Sequence, residues 1–243
     1  MKLSYLEFHK SKLTPEERPN YNKTDFLISI SYFLYLTIVI FICGWALMNI
    51  GPNGKFFVKS PFNMLLFGLF ISIIELTPLI FILKFRKQSF RTIGLRKEML
   101  FLSFIVGVIF AIPELVLSNE NIISLKSIIG IVNLLIKFFY YFFCIALVEE
   151  LIFRGYLQSI FQGVLSSKWI SIVIVGMLFS LMHIPFRFWV SGQEFLPFIQ
   201  NEISLHLPYT FIAHFYFLLI YRLTNNIVAP ATTHALVDLF ANL

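Results

Sequence analysis

The sequence FFYYFFCIALVEELIFRGYLQSIF occupies residues 138–161 and is mostly apolar or aromatic, apart from Gln158, Ser159 and a small charged group near its middle. That group consists of Glu149, Glu150 and Arg154. A run of this length can cross about 30 Å of hydrocarbon as a helix. Ionisable side chains inside such a run are costly to bury and usually face a polar cavity or a partner. We therefore predict that this segment crosses the membrane as one helix with Glu149 near its midpoint, and that residues 124–136 form a separate element.

The composition of the whole chain is that of a membrane protein. Of its 243 residues, 58% are hydrophobic and 13% are charged, and the mean hydropathy is +0.82. Soluble domains contain about 25% charged residues, so this chain has too few charges to solvate a globule. The composition excludes a secreted disulfide scaffold, a disordered tail and most soluble enzymes. Cys43 and Cys144 lie far apart in apolar stretches, and we interpret them as small apolar side chains.

The net charge of +6 is interpreted as a signal for membrane orientation and not for nucleic-acid binding. Lys and Arg cluster at the ends of apolar segments, where the positive-inside rule predicts them. The densest basic stretch, residues 84–97, is expected on the cytoplasmic side, together with an N-terminal segment of residues 1–25. The high usage of Phe, Ile and Lys indicates a bacterial genome of low GC content, and we predict a multi-pass protein of a bacterial cell membrane.

The apolar runs predict an all-α fold, a polytopic bundle of six to eight transmembrane helices that encloses a polar cavity. One transmembrane domain is expected over residues 26–243. Within it the candidate spans are residues 26–50, 61–85, 99–118, 125–148, 168–190, 207–222 and 226–243.

The three charged residues of segment 138–161 comprise a possible ion pair, Glu150 with Arg154, and one further carboxylate, Glu149. On a helix, Glu150 and Arg154 are i,i+4 neighbours and can neutralise each other. Glu149 is turned about 100° away, onto the side of Phe153 and Tyr156, and has no local counter-charge. A carboxylate in that position suits a general base. The alternative is that the two glutamates mark the cytoplasmic end of a span and Arg154 extends to the interface.

Two further groups carry histidine at helical spacing. Phe179 and His183 lie one turn apart, and so do His234 and Asp238 in the last run. His183 by itself is also consistent with a buried core histidine, and the second pair with a polar contact between helices. The two histidines, the unpaired Glu149 and the Asp238 carboxylate lie on three predicted helices inside the membrane. A shared polar site is the main reason for such residues to occur together. We therefore predict that Glu149, His183 and His234 line one cavity at similar depth; the alternative path for the Glu149 segment is a re-entrant turn.

In this order, the three groups resemble the motifs of the CAAX-protease and bacteriocin-processing family, which includes the Ras-converting type II CAAX prenyl endopeptidases. The resemblance covers roughly residues 125–243 and implies an intramembrane glutamic endopeptidase fold. The residues that carry it are Glu149-Glu150-x-x-x-Arg154, Phe179-x-x-x-His183 and His234-x-x-x-Asp238.

The resemblance also implies a role for each motif residue. Glu149 corresponds to the catalytic glutamate, and His183 helps it to activate water. His234 with Asp238 corresponds to the pair that stabilises the oxyanion. An ionised Asp238 cannot donate a hydrogen bond, so we assign it to orienting His234 and leave the oxyanion to the imidazole.

The remaining motif residues are expected to support the site. Glu150 and Arg154 correspond to a structural ion pair in the family. Phe179 and Tyr156 are expected to line the site. Glu75, Glu114 and Lys137 stand singly in apolar runs, and we interpret them as structural or interfacial residues.

The sequence lacks the catalytic motifs of other classes of intramembrane protease. We expect neither a cofactor nor a metal ion. The chain has two aspartates, Asp25 in the polar tail and Asp238, which do not make an intramembrane dyad. None of the five histidines begins an HExxH motif. A GxSG loop is absent, and Cys144 has no histidine near it in sequence. The rival for the same residues is zinc held by His183, His234 and the two carboxylates.

The sequence therefore predicts an intramembrane, glutamate-dependent endopeptidase that hydrolyses a membrane-associated or lipidated peptide or protein. In a bacterium, we expect signalling peptides, leader peptides or lipoprotein precursors as substrates in preference to prenylated proteins. One alternative is a non-proteolytic membrane scaffold or bacteriocin self-immunity protein with the same fold. A weaker alternative is a proton-coupled transporter that uses Glu149 and the histidines as a relay. The partners expected are the lipid bilayer and the substrate, without nucleic acid.

Overall fold

The computed structural model describes residues 19–50, 60–117 and 128–242, so most of the predicted N-terminal segment lies outside the described residues. The described part of the chain is helical and contains no β-strand. Its helices are α1 (Lys23–Asn49), α2 (Pro61–Phe85), α3 (Leu100–Leu117), α4 (Ile128–Val164), α5 (Lys168–Ser191), α6 (Phe195–Thr224) and α7 (Val228–Ala241).

The predicted all-α membrane bundle is confirmed. Five of these helices, α1, α2, α4, α5 and α6, are long and apolar enough to cross a membrane. The apolar helix α3 is shorter, and α7 has 14 residues. The protein is therefore an integral, multi-pass membrane protein.

Local sequence signals set several helix boundaries. Asn22 caps α1 with its side chain, and Asp25 reaches back to the Asn22 backbone to complete a capping box. Ser60 caps α2 just before Pro61, the residue type favoured at the first helical position. Asp25 also pairs with Arg86, with 2.8 Å between Nε and Oδ1, and so joins the start of α1 to the end of α2.

The prediction for α4 was wrong in one respect. Residues 128–136 do not form a separate element, because the helix is continuous for 37 residues, Ile128–Val164; residues 124–127 lie outside the described ones. No proline interrupts this run, so nothing in it forces a break. Similarly, the predicted 207–222 span is part of the longer α6. Two π-helical segments, Tyr140–Ala146 and Leu151–Leu157, flank the turn that carries Glu149, an arrangement often found at functional sites.

The continuity of α4 also determines the depth of the site. From Glu149 to the end of α4 at Val164 is 164 − 149 = 15 residues, and from the start of α5 at Lys168 to His183 is 183 − 168 = 15 residues. At a rise of about 1.5 Å per residue, both side chains lie roughly 22 Å from the α4–α5 turn. The alternative of a re-entrant turn at Gly155 is therefore wrong, because α4 continues through that residue, whereas α4 does end beside Gly163, at Val164.

The connection between α2 and α3, residues 86–99, packs against the bundle below the site. A Cβ at Gly155 would lie 2.3 Å from the carbonyl oxygen of Ile93, so α4 touches this connection directly. At the α6–α7 turn, the Ile227 N–H donates to the Gly94 carbonyl at 2.9 Å. The Asn226 side chain donates to the backbone of the same connection.

These contacts place two more site residues at one level. Glu149 lies six residues from Gly155 along α4, and His234 lies seven residues from Ile227 along α7. The rise of a helix then puts both at about 9–10 Å from the connection. Glu149 and His234 therefore meet because each helix is anchored to the same short segment.

The Gly155 contact generates a stability prediction. Gly155→Ala is expected to lower the melting temperature of the purified protein and to cost about 1–3 kcal/mol, because the new methyl group meets the Ile93 backbone, which cannot rotate away. Gly176→Ala is the matched control in another helix. There the nearest atoms are ring carbons of Phe211 and His214 at 3.0–3.2 Å, which can adjust. A loss for Gly176→Ala as large as that for Gly155→Ala would contradict the prediction.

Candidate active site

Side chains from α4 and α7 meet around one imidazole ring. Nε2 of His234 lies 3.9 Å from Oε2 of Glu149 and 3.6 Å from Oδ2 of Asp238. Both distances exceed that of a hydrogen bond, so this ring nitrogen faces two carboxylates without being bonded to either. The structure therefore brings together three of the four residues predicted to be catalytic.

The other nitrogen of His234 is bound by Glu150. Nδ1 lies 3.1 Å from Oε1 of Glu150, and because a carboxylate only accepts, Nδ1–H is the donor. We predicted that Asp238 orients this ring. Glu150 makes the hydrogen bond to Nδ1, and Asp238 faces the opposite nitrogen at 3.6 Å, within ion-pair distance.

The predicted Glu150–Arg154 ion pair is present, and it shares the same carboxylate oxygen. Nη1 of Arg154 lies 3.1 Å from Oε1 of Glu150, and both side chains are 0% exposed. Glu150 is therefore more than a partner for Arg154. It connects the arginine of α4 to the histidine of α7 through one atom.

Arg154 is stabilised by aromatic faces in place of water. Its Cζ lies 4.1 Å from the centre of the Phe179 ring and 5.3 Å from that of Phe217. The face of an aromatic ring attracts a cation, and the attraction is strongest when both are desolvated. The buried guanidinium is thus held by one carboxylate and two rings.

Phe179 links the fourth predicted residue, His183, to the others. The His183 ring meets the Phe179 ring edge-on at 4.9 Å, and its Nδ1–H donates to the Phe179 carbonyl at 2.8 Å. Phe179 also contacts His234, with 6.3 Å between ring centroids. In the neutral ring of His183, Nε2 is therefore the acceptor.

The structure places Tyr156 elsewhere. Its ring packs edge-on against Tyr32 of α1, with 5.8 Å between centroids, inside the apolar core that α1 and α4 share. No ring contact between Tyr156 and a histidine is found among the described residues. The expectation that Tyr156 lines the site alongside Phe179 therefore finds no support in these contacts.

Sequence reasoning missed three aromatic side chains that complete the site. Phe217 of α6 stacks on the His234 ring at 4.6 Å with an interplanar angle of 20°. His214 is 0% exposed and lies 6.0 Å from Phe179. His206 lies 6.0 Å from the His183 ring. The two histidines stand in an apolar run and met the criterion applied to His183, whereas nothing local distinguished Phe217 from the other phenylalanines.

A second ion pair, between a partly exposed arginine and a buried glutamate, lies near His206. Arg187, one turn after His183, binds both carboxylate oxygens of Glu202 from Nε, at 2.9 and 3.1 Å. Glu202 is 1% exposed and opens the π-helical segment Glu202–His206. This pair therefore fixes α6 to α5 beside the site.

Oε2 is buried without a hydrogen-bond partner in both Glu149 and Glu150, but Glu150 is held through Oε1, whereas the Glu149 carboxylate makes no hydrogen bond among the described residues. The Glu149 side chain is 17% exposed, and its buried Oε2 has no hydrogen-bond partner among the described residues. A buried carboxylate oxygen without a donor is costly, so a group with a reactive role explains its presence better than a structural one. Among the described residues, no three His, Cys, Asp or Glu side chains are grouped so as to hold a metal ion.

Residues 131–240 match the family model described as type II CAAX prenyl endopeptidase Rce1-like. We refer to the matched residues 131–240, somewhat less than half of the chain, as the Rce1-like domain. The match confirms the resemblance drawn from the ordered motifs, and all of the motif residues fall within it. Comparison with curated proteins and with solved structures gave no match. The Rce1-like domain and the membrane-spanning helices together support an intramembrane endopeptidase in general.

The two adjacent glutamates of the Rce1-like domain should respond differently to the same substitution. Glu150→Gln is expected to reduce the amount of folded protein and to cost about 3–5 kcal/mol, because it leaves the Arg154 charge buried and uncompensated. Glu149→Gln is expected to preserve folding, because Oε2 of Glu149 bonds nothing that the amide would lose.

Membrane expression and thermal unfolding of both variants would measure this difference. Glu114→Gln, at a partly buried position near the end of α3, is the control for replacing a glutamate outside the site. Equal destabilisation by Glu149→Gln and Glu150→Gln would show that the division into a reactive and a structural glutamate is wrong.

Proposed function

We propose that the protein is a glutamate-dependent intramembrane endopeptidase that hydrolyses a membrane-associated or lipidated peptide or protein. The observation that carries the proposal is the unpartnered Oε2 of Glu149, buried 3.9 Å from Nε2 of His234. The Rce1-like family match agrees with it.

A water molecule fits this geometry as the nucleophile. Hydrogen bonds of about 2.8 Å from one water to each of two atoms 3.9 Å apart enclose an angle of about 90° at the water oxygen. A single water can therefore contact Glu149 and His234 at once, without movement of either side chain. His183 lies on the neighbouring helix at the same depth and supplies an acceptor that can orient this water.

The proposed reaction uses Glu149 as a base that later returns its proton. The carboxylate takes a proton from the water, and the resulting hydroxide attacks the carbonyl carbon of the scissile bond. The carbonyl oxygen becomes an oxyanion, to which Nε2–H of His234 donates. Glu149 then gives its proton to the leaving amine as the C–N bond breaks. The products are a carboxylic acid and an amine, and the enzyme returns to its starting state.

His234 is well supported as the oxyanion donor. Glu150 accepts from Nδ1–H, and Asp238 faces Nε2 at 3.6 Å, so carboxylates surround both nitrogens. Such surroundings favour the imidazolium form, which has a donor on each nitrogen. Because Asp238 lies beyond hydrogen-bond distance, Nε2–H stays free for the substrate.

The position of the site suits a substrate that already partitions into lipid. Glu149 and His234 lie within the bundle, about 9–10 Å from the connection of residues 86–99. Asp238 is 30% exposed at the edge of the site. We propose signalling peptides, leader peptides or lipoprotein precursors of a bacterial membrane as the substrate class, with the N-terminus of the enzyme in the cytoplasm.

Activity should depend on Glu149. In lipid vesicles, the purified protein is expected to cleave quenched fluorescent peptides that carry a membrane anchor, offered as a panel with a prenyl group, an N-terminal acyl chain or a transmembrane segment. Glu149→Gln should reduce the rate by about 100-fold or more, because the general base is lost. Glu114→Gln, outside the site, should cleave at the wild-type rate. A folded wild-type protein that cleaves none of the panel would favour a scaffold.

The proposed reaction needs no metal ion, so we predict that chelators do not inhibit it. Activity on whichever panel peptide is cleaved is expected to survive exhaustive treatment with strong chelators, since Glu149 activates the water and His234 stabilises the oxyanion. Loss of activity that returns with stoichiometric zinc would show that these residues bind a metal and act through it.

A further inference from the structure

Cations collect at the end of the bundle where α2 is joined to α3. We call residues 84–101, which run from the last turn of α2 to the first turn of α3, the basic segment. It contains six Lys or Arg residues and one glutamate, a balance of 6 − 1 = +5: Lys84, Arg86, Lys87, Arg91, Arg96, Lys97 and Glu98. Beyond the opposite end of α5, residues 192–206 contain two glutamates and no Lys or Arg. The positive charge is therefore concentrated at one face of the protein.

The arginines of the basic segment are held within the protein. Arg86 pairs with the buried Asp25, with 2.8 Å between Nε and Oδ1. Arg91 pairs with Glu98. Arg96 is buried. These side chains therefore serve the fold of the segment.

The lysines of the basic segment face outward. Lys84, Lys87 and Lys97 are all exposed. No hydrogen bond or ion pair of their ammonium groups is found within the described part of the chain. Three positive charges are therefore available to a partner outside the protein.

Exposed aromatic rings lie beside these lysines. Phe85, next to Lys84, is 81% exposed, and Phe101, four residues after Lys97, is 77% exposed. Both rings belong to the end turns of apolar helices, α2 and α3. Such rings are favourable at the boundary between headgroups and acyl chains. A lysine can extend its stem along the same boundary while its ammonium group stays among the headgroups. The basic segment therefore lies in the headgroup layer of the membrane.

Anionic lipids match this surface in both charge and position. A soluble acidic partner would match the charge, but the rings of Phe85 and Phe101 would gain nothing from it. We propose that the basic segment binds anionic lipid headgroups, and that Lys84, Lys87 and Lys97 contact their phosphates. The proposal concerns the bilayer around the protein and does not depend on the proposed peptidase activity.

The basic segment also anchors two helices of the site, so a bound lipid has a consequence for the bundle. Ile93 contacts α4 at Gly155, and the Ile227 N–H, just before α7, donates to the same connection. The backbone is left-handed at Lys87 (φ 54°) and Met99 (φ 63°), which non-glycine residues rarely adopt. Such a path is maintained by its surroundings. Headgroups bound to the lysines add to those contacts, so anionic lipid should stabilise the folded bundle.

Tryptophan fluorescence in lipid vesicles tests the proposal at two matched positions. In a background of Trp45→Phe, Trp169→Phe and Trp189→Phe, one reporter carries Phe85→Trp. The control reporter carries Phe195→Trp, a position that is 60% exposed and lies beside Glu194 at the opposite end of α5. Lipids with brominated acyl chains quench a tryptophan that they contact.

The vesicles contain equal amounts of phosphatidylglycerol and phosphatidylcholine, and one of the two lipids carries bromine. For the Phe85→Trp reporter, brominated phosphatidylglycerol should quench about twofold or more strongly than brominated phosphatidylcholine. For the Phe195→Trp reporter, the two lipids should quench equally. Equal quenching in the Phe85→Trp reporter, or the same preference in both reporters, would overturn the proposal.

Removal of the lysine charges identifies the groups responsible. In the Phe85→Trp reporter, the combined changes Lys84→Gln, Lys87→Gln and Lys97→Gln should abolish the preference for phosphatidylglycerol. Rising salt should weaken it without any lysine substitution, because exposed charges are screened. A preference that survives both treatments would show that the lysines do not bind the lipid.

Thermal unfolding measures the stabilisation separately. The wild type should unfold at a temperature several degrees higher in vesicles that contain phosphatidylglycerol than in phosphatidylcholine alone, because a ligand that binds the folded state stabilises it. The difference should vanish in the triple lysine variant and persist in Lys137→Gln, which removes a cation from α4 at the other end of the bundle. Equal unfolding temperatures of the wild type in the two lipids would contradict the stabilisation.

Discussion

The site depends on one carboxylate oxygen, Oε1 of Glu150, which Arg154 and His234 share at 3.1 Å each. The first contact is within α4 and the second joins α4 to α7, two helices that lie far apart in the sequence. Because Glu150 and Arg154 are completely buried, neither can exchange its partner for water without a large cost. The direction of the His234 ring follows from this bond, and with it the direction in which Nε2 faces Glu149.

Aromatic rings provide the remainder of the environment. Phe179 lies between Arg154 and both predicted histidines, and Phe217 stacks on His234 while also facing Arg154. In hydrocarbon, helices gain little from burying apolar surface against one another, so close packing and polar contacts decide which faces meet. Here the aromatic rings pack closely against their neighbours and also attract the buried guanidinium of Arg154. The polar side chains of the site are therefore enclosed by apolar residues, and Asp238 is the partly exposed side chain at the edge of the site.

The Rce1-like domain does not contain every segment that positions its motif residues. Residues 131–240 include both glutamates of α4, the site histidines and Asp238. The connection of residues 86–99 lies outside the match, yet it sets the level of α4 and α7 through Gly155 and Ile227. The first half of the chain therefore helps to determine the level at which the motif residues lie.

The sequence by itself determined the helical membrane fold, because hydropathy and length are local properties, and it predicted α1, α2 and α5 to within a few residues. It also predicted the Glu150–Arg154 pair, since i,i+4 neighbours meet on any helix. Only the tertiary structure decided that Glu150 binds His234, that Tyr156 packs against Tyr32 and that Phe217 stacks on His234. Each of these contacts joins different helices. The rotation and depth of one helix relative to another depend on close packing across the whole bundle. The spacing of residues within a single segment carries no information about that packing.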